Sequence, residues 1–210
     1  MAHKNHELDS RIVNAAFSEF LEKGYRDASL RKIAEKAGVT VGAIRTRFKT
    51  KDDLFCGLIE PLVSEIEAVF QSVRKEYYRQ TVNDLVTHIE KSMRMESETI
   101  LRLIFGHYDE AVLLLCRSAG SSMEGFFDKI VERKVCESET FFDEAGEKHV
   151  DSNLLRILIS SQFHSYFQIV NGGYGKEAAE KYMSAVMCYH FAGWVTLLNT
   201  ENKQNGENQL

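Results

Sequence analysis

The chain has 210 residues and a formal net charge of −5, so taken whole it is not a polycation that would coat nucleic acid. It is 44% hydrophobic with a single proline, which suits a mostly helical protein with a substantial core. The charge is uneven: residues 1–55 hold 11 Lys and Arg against 8 Asp and Glu, and residues 56–210 hold 15 against 23, a basic head on an acidic body.

Residues 1–8 are expected to fray. Asp9 can cap a first helix to about Lys23, with Ile12, Val13, Ala16, Phe17, Phe20 and Leu21 on one face and Gly24 at its end. Ser29 to Phe48 then read as two short helices joined by a tight turn. Ser29 is a good N-cap, since its hydroxyl can accept from an orphan N–H of the first turn. Leu30, Ile33, Ala34 and Ala37 form one apolar stripe, and Gly38 sits where the chain must turn with positive φ. Thr40 can cap the second helix, whose Ile44 faces the core with Phe48. That leaves Thr40, Val41, Gly42, Ala43, Arg45, Thr46 and Arg47 outward, small residues for close approach to base edges and cations for phosphate or guanine.

Further along, a fourth helix is predicted from about Lys51 to Arg79. Gly57 and Pro61 predict a kink or break in it, because proline cannot donate to the Gly57 carbonyl and crowds it. Thr81–Met95 and Ser97–Phe105 are predicted as separate helices, followed by a segment from His107 to Ala119 and a long helix from Ser121 to Phe142. The last two helices, Asn153–Val170 and Ala178–Leu198, are apolar on more than one face. A helix packed against a single layer needs only one stripe, so the surplus is expected to be buried elsewhere. Residues 200–210 are polar and expected to be disordered.

The run F-x2-F-x3-G-Y-x2-A-S-L-x2-I-A-x2-A-G-V-T-x-G-x-I-x3-F-x2-K-x2-L, from Phe17 to Leu54, resembles the TetR family of transcriptional regulators. The resemblance covers roughly the first quarter of the chain. It implies an all-α protein of about nine helices. Residues 1–50 would be a three-helix helix-turn-helix DNA-binding domain, and residues 51–199 a helical effector-binding and dimerisation domain. It further implies a homodimer through the last two helices, bound to a palindromic double-stranded DNA operator and released by a small-molecule effector. DNA contacts are expected from Ser29, Arg31, Thr40, Val41, Gly42, Ala43, Arg45, Thr46, Arg47, Lys49 and Lys51. The family usually has an aromatic residue where Arg45 stands and often another where Arg47 stands, so an atypical operator preference is expected.

The candidates for effector contact are Phe105, His107, Tyr108, Met123, Phe127, Phe163, His164 and Tyr166, aromatic and soft side chains with a few hydrogen-bonding tips; Tyr77 and Tyr78 belong to the same mixture. Neither a metal nor a cofactor is expected. Cys56, Cys116, Cys136 and Cys188 form no CxxC, and Cys188 and His190 point to different helix faces. No HExxH, GxSxG, P-loop or GxGxxG pattern appears, so no enzyme is expected. A cytoplasmic location is expected, because the start lacks a signal core and no apolar run approaches membrane-spanning length. The rival reading is a helical small-molecule carrier or enzyme with a vestigial head.

Overall fold

The computed structural model describes the backbone of residues 2–79, 85–145 and 150–207, and the side chains of residues 9–72, 89–140 and 150–197. Among these every regular element is a helix: α1 (Ala2–Asp27), α2 (Leu30–Ala37), α3 (Val41–Arg47), α4 (Lys51–Arg79), α5 (Leu85–Gly106), α6 (Tyr108–Cys116), α7 (Phe126–Ala145), α8 (Ser152–Asn171) and α9 (Lys176–Glu207). The expected all-α class, with nine helices among the described residues, is what the chain adopts. Tyr77 and Tyr78 lie outside the described side chains.

Several features differ from those expected. Helix α1 runs from Ala2, ahead of the start expected at Asp9, and on past Gly24 to Asp27. Helix α4 runs on through Pro61 without a break. Gly57 and Pro61 are both exposed, so the Gly57 carbonyl that loses its donor faces water. The two helices expected around Met95–Ser97 are one, α5. Glu96 and Ser97 are buried there, so packing overrides the start signal that a serine gives. The expected start at Ser121 is instead a turn, held open by Gly120 and Gly125 at positive φ, and α7 begins at Phe126. Helix α9 continues to Glu207, past the point where a tail was expected.

The chain forms two compact units. The first comprises Met1–Ile66 and Leu103–Phe126, the second Glu67–Arg102 and Phe127–Leu210.

In the first unit, Ile12, Ala16 and Phe20 of α1 share a core with Ile33 of α2, Ile44 of α3 and Leu54 and Phe55 of α4. Phe20 and Tyr25 meet the Phe55 ring edge-on, at 5.1 and 5.2 Å between centroids. The end of α1 is tied down from two sides. Gly24 leaves helical geometry at φ 73, and the Tyr25 amide donates to the Arg117 carbonyl after α6 at 2.8 Å. Lys51 Nζ donates to the carbonyls of Tyr25, Arg26 and Ala28 and sits 4.4 Å from the Tyr25 ring centre. Buried Glu19 pairs with Lys36 at 2.9 Å and accepts from the Ser29 amide, fixing both ends of α2 against α1. Asp52 accepts from the Ser122 amide at 2.9 Å. Burial opposes its ionisation, but the hydrogen bonds from Ser122 and Tyr25 outweigh burial and hold its carboxyl below the usual range.

In the second unit the core is Phe70, Ile100, Ile130, Val135, Leu155, Phe163, Tyr166, Ile169 and Met183. Arg133 holds Glu67 with a two-pronged ion pair at 2.6 and 2.9 Å. Lys134 pairs with buried Glu96 and lies 5.2 Å from the Phe70 ring centre. Asp151 caps α8 by accepting from the amides of Asn153 and Leu154.

Candidate nucleic-acid interface

Helices α2 and α3 are short, and their ends set their geometry. The Ser29 hydroxyl accepts from the Arg31 amide at 3.3 Å, starting α2. At the other end Gly38 adopts φ 63 and ψ 42, and the Val39 amide reaches back to the Ala34 carbonyl at 2.9 Å. A Cβ at Gly38 would sit 2.5 Å from Arg11 Nη2, and Arg11 donates to the carbonyls of Ala37 and Gly38. The positive φ is what disfavours a side chain here, while a Cβ would also have to displace the end of the Arg11 side chain. Thr40 then caps α3, accepting from the Ala43 amide at 3.1 Å.

Within α3 only Ile44 is buried, at 0% exposure. Thr40, Gly42, Arg45 and Thr46 are exposed, and Val41, Ala43 and Arg47 half-buried. The Thr46 hydroxyl donates to the Gly42 carbonyl at 2.9 Å. Arg47 is held to Asp9 through Nε and also donates to the Ala43 carbonyl at 3.4 Å. Arg45, Arg31 and Lys49 are exposed and make no ion pair among the described residues. Lys51 belongs to the end of α1, as described above, and Ser29 is half-buried at the start of α2. Arg31, Arg45 and Lys49 are thus three exposed cations without an ion partner among the described residues, and α3 exposes no bulky apolar side chain.

The eight candidates for effector contact fall in two places. In the first unit Phe105 stacks on Tyr108 at 5.8 Å, and His107 Nε2 lies 3.2 Å from Glu65, with Glu110 3.7 Å from its other ring nitrogen. Met123 is half-buried in the turn before α7. In the second unit Phe163 touches Phe127 and Tyr166, each at 5.9 Å, within the core. His164 is exposed, stacked on Phe167 and bonded to Gln168.

A groove of about 710 Å³ lies in the second unit between α5 and α9, lined by Met93, Leu101, Met183, Met187 and Phe191, and none of the eight candidates is among its lining residues. Its rim carries Arg94, Arg102 and Lys176 among three glutamates, and Ser97 reaches it from the core side. The i, i+4, i+8 run of Met93, Ser97 and Leu101 was the available sequence signal for this face. No cluster of three His, Cys, Asp or Glu fit for a metal ion occurs among the described residues. None of the described helices is long and apolar enough to cross a membrane.

A capped, glycine-hinged helix pair with a cationic outer face, set in an all-helical chain, defines the class of helix-turn-helix proteins. Residues 12–56 match the family model described as bacterial regulatory proteins, tetR family. The chain is 32% identical over 110 residues to the HTH-type transcriptional regulator AcrR of Shigella flexneri, covering 50% of this chain and 51% of that protein. It is 38% identical over 77 residues to YvkB, an uncharacterized HTH-type transcriptional regulator of Bacillus subtilis, covering 37% and 36%. The chain therefore spans about half the length, or less, of the curated relatives it matches. Among solved structures, the transcriptional regulator FadR of Bacillus subtilis, in complex with stearoyl-CoA, superposes with a TM-score of 0.55 at 18% identity, over 85% of this chain and 96% of that one. PfmR, a TetR-family transcriptional regulator of Thermus thermophilus, gives 0.57 at 16%, over 84% and 94%. At those identities the fold is what is shared. Residues 12–56 thus match the tetR family model, and the chain shares the fold of solved TetR-family regulators.

Proposed function

We propose that this protein is a transcriptional regulator that binds a palindromic operator as a homodimer and is released from it by a small-molecule effector. The observation that carries the reading is α3 itself: one buried side chain, Ile44, with Thr40, Gly42, Arg45 and Thr46 exposed, and two further exposed cations, Arg31 and Lys49, in the same helix-turn-helix segment. Such a surface fits a major groove flanked by phosphates. Dimerisation through α8 and α9 is supported by the large apolar side chains these helices leave in water, Ile157 at 64% exposure, Tyr182 at 47% and Tyr189 at 77%. A two-fold pairing would present two heads to successive major grooves, roughly 34–36 Å apart. Dimers binding one operator and blocking transcription, in the cytoplasm and without enzymatic turnover, complete the reading.

The effector site is the α5–α9 groove. Its volume of about 710 Å³ lies in the range of small-molecule sites. Three methionines on its walls suit a flexible apolar guest, in keeping with the stearoyl-CoA carried by one protein of the same fold. An effector shifts operator occupancy only by its difference in affinity between the DNA-competent and released forms.

The test is binding of the purified protein to the DNA upstream of its own coding sequence, followed across a salt series. Tight, dimer-stoichiometric binding that falls steeply with salt supports the reading, because cation contacts to phosphate release counterions. Absence of binding at low salt to that DNA and to random duplexes ends it.

A further inference from the structure

We infer that Arg45 reads a guanine in each operator half-site, and that Arg47 does not read bases at all. This rests on the regulator reading above and goes beyond it, by dividing two adjacent arginines into a specificity-determining residue and a strut.

The division follows from what each side chain already holds. Arg47 is half-buried, with Nε on the Asp9 carboxylate of α1 and Nη1 toward the Ala43 carbonyl. Reaching a base edge would break that pair and leave Asp9 without its cation. Arg45 stands on the exposed face, with no hydrogen bond or ion pair among the described residues. Its guanidinium can therefore meet DNA with its donors available and no hydrogen bond or ion pair among the described residues to give up.

The other groups on that face narrow what Arg45 meets. The Thr46 hydroxyl proton is held by the Gly42 carbonyl at 2.9 Å, so the hydroxyl is not free to donate to a base. Gly42 has no side chain, and Ala43 and Val41 carry no hydrogen-bonding group. Thr40 accepts from the Ala43 amide and keeps one hydroxyl proton, a single donor at the helix start. Within α3, Arg45 is thus the group that offers a planar two-donor fork to base edges. In the major groove a fork of donors is matched by paired acceptors on one base, the O6 and N7 of guanine; adenine offers N7 beside a donor, and thymine a lone O4.

The same reasoning says what a wrong assignment would look like. An arginine on phosphate contributes affinity without sequence preference, so its removal weakens all duplexes alike and lowers the salt slope by about one.

The experiment selects half-sites from a random duplex library with the full-length protein and aligns them. The expected result is one guanine per half-site whose replacement by 7-deazaguanine, which lacks N7 but pairs normally, weakens binding on the order of tenfold or more. That loss should vanish in Arg45→Ala, which binds guanine and 7-deazaguanine duplexes equally, and persist in Arg47→Ala when both proteins are compared at a temperature where each is folded. The inference is overturned if Arg45→Ala lowers affinity by one factor for every sequence, or if the guanine dependence disappears with Arg47 instead. Failure to enrich any sequence, with no salt-dependent binding to any duplex, would instead count against the regulator reading itself.

Discussion

The two compact units are built by different rules. In the first, the helix-turn-helix is specified by groups a few residues apart: Ser29 on Arg31, Thr40 on Ala43, Gly38 at φ 63. In the second, polar groups far apart in the chain meet in the interior, buried Glu96 with half-buried Lys134 and buried Tyr166 beside buried Ser97. The lesson is that short helices bound to a demanding external surface need their ends fixed locally. Long helices around a core can tolerate weak end signals, because burial holds them.

The largest test of that contrast is Ile44→Ala. Ile44 is the one buried side chain of α3 and is fully buried, so its removal should cost about 2–5 kcal/mol. DNA binding should disappear while fluorescence of the single tryptophan, Trp194 in α9, reports an almost unchanged midpoint for the second unit. A Trp194 midpoint that drops in step with the loss of binding would show the two units unfold as one.

Lys134→Met probes the other unit. It leaves the Glu96 carboxylate, 5% exposed, without its cation, and an unpaired buried charge is destabilising by about 3 kcal/mol. Chemical denaturation followed at Trp194 should show the loss, and Glu96→Gln in the same background should restore most of it. No recovery in the double variant would mean the lysine acts through packing on Phe70 rather than charge.

Tyr166→Phe should move stability the other way. Its hydroxyl is fully buried and hydrogen-bonded to nothing at proper geometry, although Ser97 lies close by, so deleting it should stabilise by about 1 kcal/mol. Burial, with the Glu96 carboxylate adding to it, pushes this phenol far above its ordinary range. The unfolded chain ionises the same group near pH 10. The native state's advantage is thus complete below about pH 10 and shrinks as pH rises beyond it. The variant should lose less stability than the wild type between about pH 10 and 11 in equilibrium unfolding.

The smallest effect on stability, and the most telling, is expected from Gly42→Ala. A Cβ there would meet only Thr40 Oγ1 at 3.6 Å, an ordinary contact. The fold should gain about 0.5–1 kcal/mol from helix propensity. If the backbone of α3 lies close to base edges, DNA affinity should nevertheless fall. Unchanged affinity in a thermally stabilised variant would place the close approach elsewhere.

Much of the head was legible in the sequence. The caps at Ser29 and Thr40, the glycine turn and Ile44 as the inward anchor are local signals and sit where the residues indicate, whereas Asp9, expected to start the first helix, lies inside α1 and pairs with Arg47. Lys51 was not legible in the same way: its ammonium closes the carbonyls at the end of α1, 23 to 26 residues away in the chain. Nor was Arg47, whose partner Asp9 is 38 residues distant. In the body, the serine and acid at 96–97 look like a helix boundary and are an interior, because their partners on α7 and α8 are invisible to local pattern. The α5–α9 groove lies beyond reach for the same reason: each helix contributes one stripe, and nothing in either stripe names the other.

The sequence by itself determined helix content, the bend at Gly38 and the cationic composition of α3, since backbone sterics, capping and side-chain period act within a few residues. Tertiary structure alone decided which arginine is held and which is free, where the buried charges meet, and that α4 passes Pro61 unbroken. Those outcomes depend on pairings between distant segments and on which face of a helix meets water, and no local rule encodes either.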